Sequence, residues 1–286
     1  MAENIYTLKL TKEEENKLFE TWKDTKTKAP AYAKWQLRPE NCVMTCYTSG
    51  KTVFQGKDAF VYASPFLPAE KKQISEDILP QAGSDEVGTG DYFGPVCVCA
   101  SIVTKETDAF LRETGVRDSK QLTDEMIIKM APEIMKHLPY SLLIVNDEKY
   151  NAIHQTNNMN AIKSKLHNQA YVNLKKKYNL PAFKIIDQFT PEKSYYRYLK
   201  DQPVIITGIH FETKAENKYP SVGASSIIAR YAFIKKMKEM EETWHIHFQK
   251  GAGSNVDACA REFVKKNGIE KLGMVAKLHF KNTERL

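Results

Sequence analysis

The chain is predicted to fold as a small α+β module followed by a larger α/β domain. Three features of the sequence carry that prediction. A capped helix followed by short alternating strands and a hairpin signal occupies the first part of the chain. Ser64 to Gln81 then holds three prolines and mixed charge, the composition of a linker. Beyond it, Val96 to Val103 is apolar on both faces, as in a strand buried inside a sheet, and helical patterns alternate with further short apolar runs.

Thr11-Lys12-Glu13-Glu14 is a capping-box pattern that opens a helix to about Lys26, with Leu18, Phe19 and Trp22 as its apolar side. Tyr32 to Leu37 alternates as a half-buried strand does. Val43 to Tyr47 and Thr52 to Gln55 flank Thr48-Ser49-Gly50-Lys51, which reads as a hairpin turn, and a short helix is expected over Lys57 to Ala63. In the larger domain a helix starts near Thr123, with Asp118 or Ser119 available to cap it. Ser141 to Val145 reads as a strand. Asn157-Asn158-Met159-Asn160 opens a helix with Ala161, Leu166, Ala170 and Leu174 on its apolar side. Phe183 to Asp187 is a short apolar strand ending in an acid, Val204 to Gly208 is expected to be another strand, and Ser225-Ser226 opens a further helix.

Of the 286 residues, 42% are hydrophobic, enough for packed cores, and the net charge of +7 is consistent with a polyanionic partner. The five cysteines are an odd number, and neither Cys42-x3-Cys46 nor Cys97-x-Cys99 has partners at zinc-finger spacing, so they read as reduced strand residues. The opening Met-Ala-Glu-Asn-Ile-Tyr is not a charged-then-apolar leader, and no apolar run approaches the ~20 residues of a membrane span. A cytoplasmic protein with no membrane association is expected.

Gly83-Ser84-Asp85-Glu86-Val87-Gly88-Thr89-Gly90-Asp91-Tyr92-Phe93-Gly94-Pro95 stands directly before the buried strand. Two adjacent carboxylates at the edge of a sheet are costly unless something positive neutralises them, and hard divalent cations take oxygen ligands. The glycines permit close backbone approach to a ligand. Gly88-x-Gly90-x-x-x-Gly94 has the wrong spacing for a dinucleotide fingerprint, and no Gly-Lys-Ser/Thr follows for a phosphate loop. An exposed loop with ordinary turn chemistry is the alternative for this stretch taken alone.

The whole string resembles the first motif of the type 2 ribonuclease H family, Asp-Glu-x-Gly-x-Gly followed by Gly-Pro, here Asp85 to Gly90 and then Gly94-Pro95. Asp118-Ser119-Lys120 and Ser225 to Tyr231 resemble further segments of the same family, and Ala276 to Thr283 and the N-terminal string Tyr47 to Gly56 resemble its ribonuclease HIII branch. The resemblance implies a ribonuclease H-like α/β fold, a mixed sheet flanked by helices, preceded by a module like half of a TATA-box-binding protein. It implies domains at 1–64 and 83–286 joined by a linker over 65–82.

The implied activity is endonucleolytic cleavage of the RNA strand of an RNA/DNA hybrid by two Mg²⁺ or Mn²⁺ ions, leaving 5′-phosphate and 3′-hydroxyl ends. Asp85, Glu86, Asp187 and Glu216 are the implied catalytic metal ligands. Glu216 follows Lys214 by two residues as the family's fourth acid follows a lysine, with Glu212 as the local competitor. Gly88, Thr89 and Gly90 are the expected readers of the 2′-hydroxyl, and Ser119, Lys120, Asn157 and Lys214 are further substrate candidates. Tyr47, Lys51, Phe54 and Gln55 are expected contacts on the N-terminal sheet, unless alternation buries Tyr47 or Phe54 in its core. No obligate protein partner is expected, and the protein is expected to act as a monomer. Two rival functions are cutting at single ribonucleotides in DNA, as ribonuclease HII does, and non-catalytic nucleic-acid binding.

Overall fold

The computed structural model describes residues 5–39, 41–56, 59–63, 66, 78–114 and 122–286. They form two compact units, Met1–Ile74 and Ser75–Leu286. Among the described residues, no helix is long and apolar enough to cross a membrane.

In the first unit, β1 (Ile5–Lys9), α1 (Lys12–Trp22), β2 (Lys26–Thr27), β3 (Ala33–Leu37), β4 (Val43–Tyr47), β5 (Lys51–Gln55) and α2 (Ala59–Ala63) follow in order. The antiparallel sheet is ordered β1-β5-β4-β3-β2. The capping box forms as expected, with the Thr11 hydroxyl accepting from the Glu14 amide and the Glu14 carboxylate accepting from the Thr11 amide. The helix is shorter than the sequence pattern suggested, giving way to a single tight turn at Lys23–Thr25 and then β2. β1 was not legible as a strand; its half-exposed alternation gains meaning only through pairing with β5. Strand alternation sends Leu37, Met44, Cys46 and Phe54 to one face, where they meet Leu18 and Ala63.

The second unit begins earlier than residue 83. β6 spans Gln81–Val87, and Gln81 is fully buried, its side-chain carbonyl accepting from the Ser221 hydroxyl at 2.8 Å. Gln81 and Ala82 therefore belong to the sheet and not to a linker. There follow β7 (Val96–Val103), α3 (Lys105–Glu113), α4 (Asp124–His137), β8 (Tyr140–Val145), α5 (Asp147–His154), α6 (Met159–Lys177), β9 (Phe183–Asp187), α7 (Glu192–Tyr198), β10 (Ile209–Glu212), α8 (Pro220–Trp244) and α9 (Ser254–Asn267). The sheet order is β10-β9-β6-β7-β8. β9 runs parallel to β6 and β10, while β7 is antiparallel to β6 and β8, so the sheet is mixed. β7 alternates between two cores: Cys97, Cys99 and Val103 pack with Ala224 and Ile228 of α8, and Ala100 and Ile102 pack with Ala170 and Tyr171 of α6. All five cysteines are free and buried.

Two expected elements differ. Val204 to Gly208 is not a strand, because the Asn168 side chain satisfies that backbone, donating to the Val204 carbonyl at 2.8 Å and accepting from the Ile206 amide at 2.9 Å. The strand is Ile209–Glu212 instead. α8 starts at Pro220, with proline at its first turn, and not at Ser225. That extra turn lies on β6: a Cβ at Gly83 would meet the Ser221 hydroxyl at 2.4 Å.

Candidate active site

Adjacent strand residues face opposite sides, so Asp85 and Glu86 diverge. Asp85 turns toward α8, where Ser226 hydrogen-bonds its carboxyl, and its Oδ1 also accepts from the Glu86 amide at 2.8 Å. Glu86 turns toward α6. Its carboxylate takes a hydrogen bond from His167 Nε2 at 2.8 Å and an ion pair from Lys163. Asp187 ends β9, one residue past the Ser84–Ile186 pair that places the two parallel strands side by side. Glu216 arrives on the turn Ala215–Asn217, which Lys214 enters with φ at +59°. The Ala215 amide donates to Asp187 Oδ1 at 2.9 Å, so this turn is fastened to the end of β9.

Asp85, Asp187 and Glu216 line one pocket of about 340 Å³ together with Ile127, Ser226, Ile227 and Arg230. Burial, then the charges of Glu86 and Asp187, push the Asp85 carboxyl up to about 8, despite the bonds from Ser226 and the Glu86 amide. Burial also raises Asp187, with Glu216 and Glu86 adding to it and the amides of Ala215 and Lys214 opposing. Burial alone would raise Glu86 too, but the His167 bond and the neighbouring Lys163 outweigh it and hold Glu86 below the usual range. The four carboxyls are electrostatically coupled, with cationic support at Glu86.

Among the described residues, no three histidine, cysteine or acidic side chains are already closed into a metal cage. The acids instead border an open pocket. The donor set fits a hard divalent cation, since it is all oxygen and its members disfavour one another's ionisation.

Glu212 is held elsewhere. Tyr219 donates to it at 2.6 Å and Lys218 and His210 pair with it, pulling its carboxyl down to about 2 against the effect of burial. Of the glycine pair, Gly88 has φ at +95° and a Cβ there would fall 2.1 Å from the Pro95 carbonyl, so the turn itself requires glycine. Gly90 is exposed with nothing within 4 Å of a Cβ, leaving its backbone open to a ligand. Asn157 has local contacts, donating to the Ile153 carbonyl at 3.2 Å and accepting from Lys165 at 3.0 Å, while its neighbour Asn158 is the helix cap. Lys214 is exposed. Ser119 and Lys120 lie outside the described residues.

In the first unit Phe54 is fully buried in the core, which removes it from the expected contact set. Period-two alternation explains this: Lys51, Val53 and Gln55 face away from Thr52 and Phe54. Tyr47 is half-buried, and Lys51 and Gln55 are exposed. Two functional candidates carried no clear signal in the sequence, Lys163 and His167, whereas Ser226 and Arg230 lie in the family-like segment Ser225 to Tyr231. The spacing of Lys163 and His167, one helical turn apart, is the one pattern that could have marked a shared face. Arg230 donates through Nη2 to Asp124 at 2.7 Å and through Nη1 to the Leu122 carbonyl at 3.0 Å, tying the pocket wall to the start of α4.

Residues 82–283 match the family model described as Ribonuclease HII, and residues 6–77 match a domain of unknown function (DUF3378). The chain is 39% identical to Ribonuclease HIII of Bacillus licheniformis over 88% of each protein. It belongs to the ribonuclease HIII family. Ribonuclease HIII of Bacillus subtilis is 38% identical over 90% of this chain and 88% of its own length. The crystal structure of Bst-RNase HIII in complex with Mn²⁺ superposes with a TM-score of 0.72 at 34% identity, covering 99% of this chain and 97% of that one. The ribonuclease HIII likeness thus extends through both units.

Proposed function

We propose that Asp85, Glu86, Asp187 and Glu216 together hold two Mg²⁺ or Mn²⁺ ions and that the substrate is the RNA strand of an RNA/DNA hybrid. The chain is a metal-dependent endoribonuclease of the ribonuclease H type. The observation that carries the site assignment is the pocket itself: acids from β6, from the end of β9 and from the turn after β10 meet where burial and mutual repulsion raise Asp85 to about 8. Such a cluster is relieved by cations. Held by these four acids, divalent cations would supply activation of a water for in-line attack on a phosphodiester and stabilisation of the leaving 3′-oxygen, with 5′-phosphate and 3′-hydroxyl ends as products.

The protein's own contribution is to orient. Ser226 and the Glu86 amide fix Asp85, and the Ala215 amide fixes Asp187. The open backbone at Gly90 suits recognition of a ribose edge, where the 2′-hydroxyl both donates and accepts. In the first unit the exposed Lys51 and Gln55, with Tyr47 beside them, suit a non-specific hold on the phosphate backbone. The enzyme acts as a monomer in the cytoplasm.

Purified protein with Mg²⁺ or Mn²⁺ is to be offered an RNA/DNA hybrid, double-stranded RNA, and duplex DNA with one ribonucleotide. Metal-dependent cutting of the hybrid, abolished by chelation, is expected. Hybrid binding without cleavage would leave a nucleic-acid-binding protein, and preference for the single ribonucleotide would move the substrate to that of the ribonuclease HII branch.

A further inference from the structure

Glu86 is gripped at both carboxylate oxygens by side chains of α6. His167 Nε2 meets Oε2 at 2.8 Å and the Lys163 ammonium meets Oε1. Both partners come from successive turns of α6 and are themselves buried, Lys163 at 8% exposure and His167 at 0%. The far nitrogen of His167, Nδ1, lies 2.7 Å from the hydroxyl of Ser84, which is also fully buried. A carboxylate can only accept, so Nε2 is the donor, and in the neutral imidazole Nδ1 then accepts from Ser84. Phe189, two residues past Asp187, closes the arrangement: its ring stacks on His167 with centroids 5.3 Å apart, and the Lys163 ammonium lies 4.0 Å over its centroid. Ser84 and Glu86 share the α6 face of β6, so one strand supplies both ends of the chain Ser84–His167–Glu86.

We propose that His167, backed by Ser84, and Lys163 are positioning residues that hold the Glu86 carboxylate in its metal-ligating orientation before any cation arrives. This rests on the assignment of Glu86 as a ligand. Each carboxylate oxygen has lone pairs to spare beyond its one contact, so the grip leaves Glu86 free to ligate. Partners that orient a ligand without touching the metal typically contribute 10–100-fold in affinity, and that is the scale expected here.

The test is Mn²⁺ titration by calorimetry on the full chain without substrate, alongside the melting temperature without metal. His167→Ala should weaken Mn²⁺ binding by about 10–100-fold. His167→Gln should recover most of it, since a side-chain amide also offers one donor and one acceptor. Ser84→Ala, a small change, should give a loss of about 2–10-fold, and it serves if His167→Ala does not fold. Lys163→Met should weaken binding and Lys163→Arg should restore it. Native Mn²⁺ affinity in His167→Ala and Ser84→Ala, even with a lowered melting temperature, would show a purely structural role and overturn the inference. Glu86→Gln is the control: unchanged affinity there removes Glu86 from the ligand set, whereas lost affinity there with native affinity in the His167 variants overturns the positioning role alone.

Discussion

In the N-terminal sheet, β5 alternates exposed Lys51 and Gln55 with buried Thr52 and Phe54, whereas every one of the 8 residues of β7 is buried. The first sheet packs its inward side chains against α1 and α2, and its other face carries Ile5, Thr7, Lys9, Lys51 and Gln55. The second sheet sits between α6 and α8. A sheet covered on one side can offer a broad surface to a ligand. A sheet covered on both sides can offer only its ends, and the acids of the second unit accordingly collect where β6 and β9 finish. Surface residues of the first kind act additively and weakly, while residues at a crowded strand end act as a unit.

The largest expected effects come from breaking the strand-end cluster. Asp85→Asn, Asp187→Asn and Glu216→Gln should each lower kcat on an RNA/DNA hybrid by about 10²–10³-fold, the scale of losing one preorganised electrostatic partner, with circular dichroism unchanged. Glu212→Gln should change kcat less than about threefold, since its partners lie outside the pocket. A severe loss at Glu212 with a mild one at Glu216 would exchange their roles.

The two faces of β5 should separate next. Phe54→Ala should destabilise the first unit by about 3–5 kcal/mol, measured by denaturant unfolding, as removal of a buried aromatic does. Gln55→Ala should shift stability by no more than about 0.5 kcal/mol, any effect appearing in KM. Equal destabilisation by both would mean that the outer face is packed in solution.

Removing residues 1–74 tests whether the broad surface only holds substrate. Uniform binding lowers KM without altering kcat, so KM should rise about tenfold while kcat stays within about threefold. The decline of affinity with salt should also become shallower, because phosphate contacts are lost. A collapse of kcat with KM unchanged would make the first unit part of the catalytic machinery.

A further expectation concerns the stability of the metal-free protein against pH. The Asp85 carboxyl is raised to about 8 in the folded protein, above its unfolded value of about 4. Folding therefore favours its protonated form, and that stabilisation is complete below about pH 4 and lost as pH rises through about 8. Metal-free protein should melt progressively lower over this interval, and Asp85→Asn should flatten the dependence. A native slope in the variant would place the titration elsewhere, for instance at Asp147, which burial raises to about 7.

Local chemistry made much of this legible in the sequence. The capping box at Thr11, the alternation of β3, the hairpin of β4 and β5, and the continuous apolar run of β7 are read from neighbours along the chain, because cap bonds, turns and strand alternation span only a few residues. Asp187 stood out because the family resemblance implies an acid at the end of such an apolar strand. What depended on tertiary structure involves residues far apart in sequence. Burial of Phe54 rather than Tyr47 follows from which face of the sheet the helices cover. The segment Val204 to Gly208 has strand-like composition, yet Asn168 claims its backbone from another element. The distinction between Glu216 and Glu212 rests on Lys218 and Tyr219 capturing the latter. The grip of Lys163 and His167 on Glu86 exists only once α6 lies across β6, because charge and hydrogen bonding act through space and the chain brings these groups together only on folding.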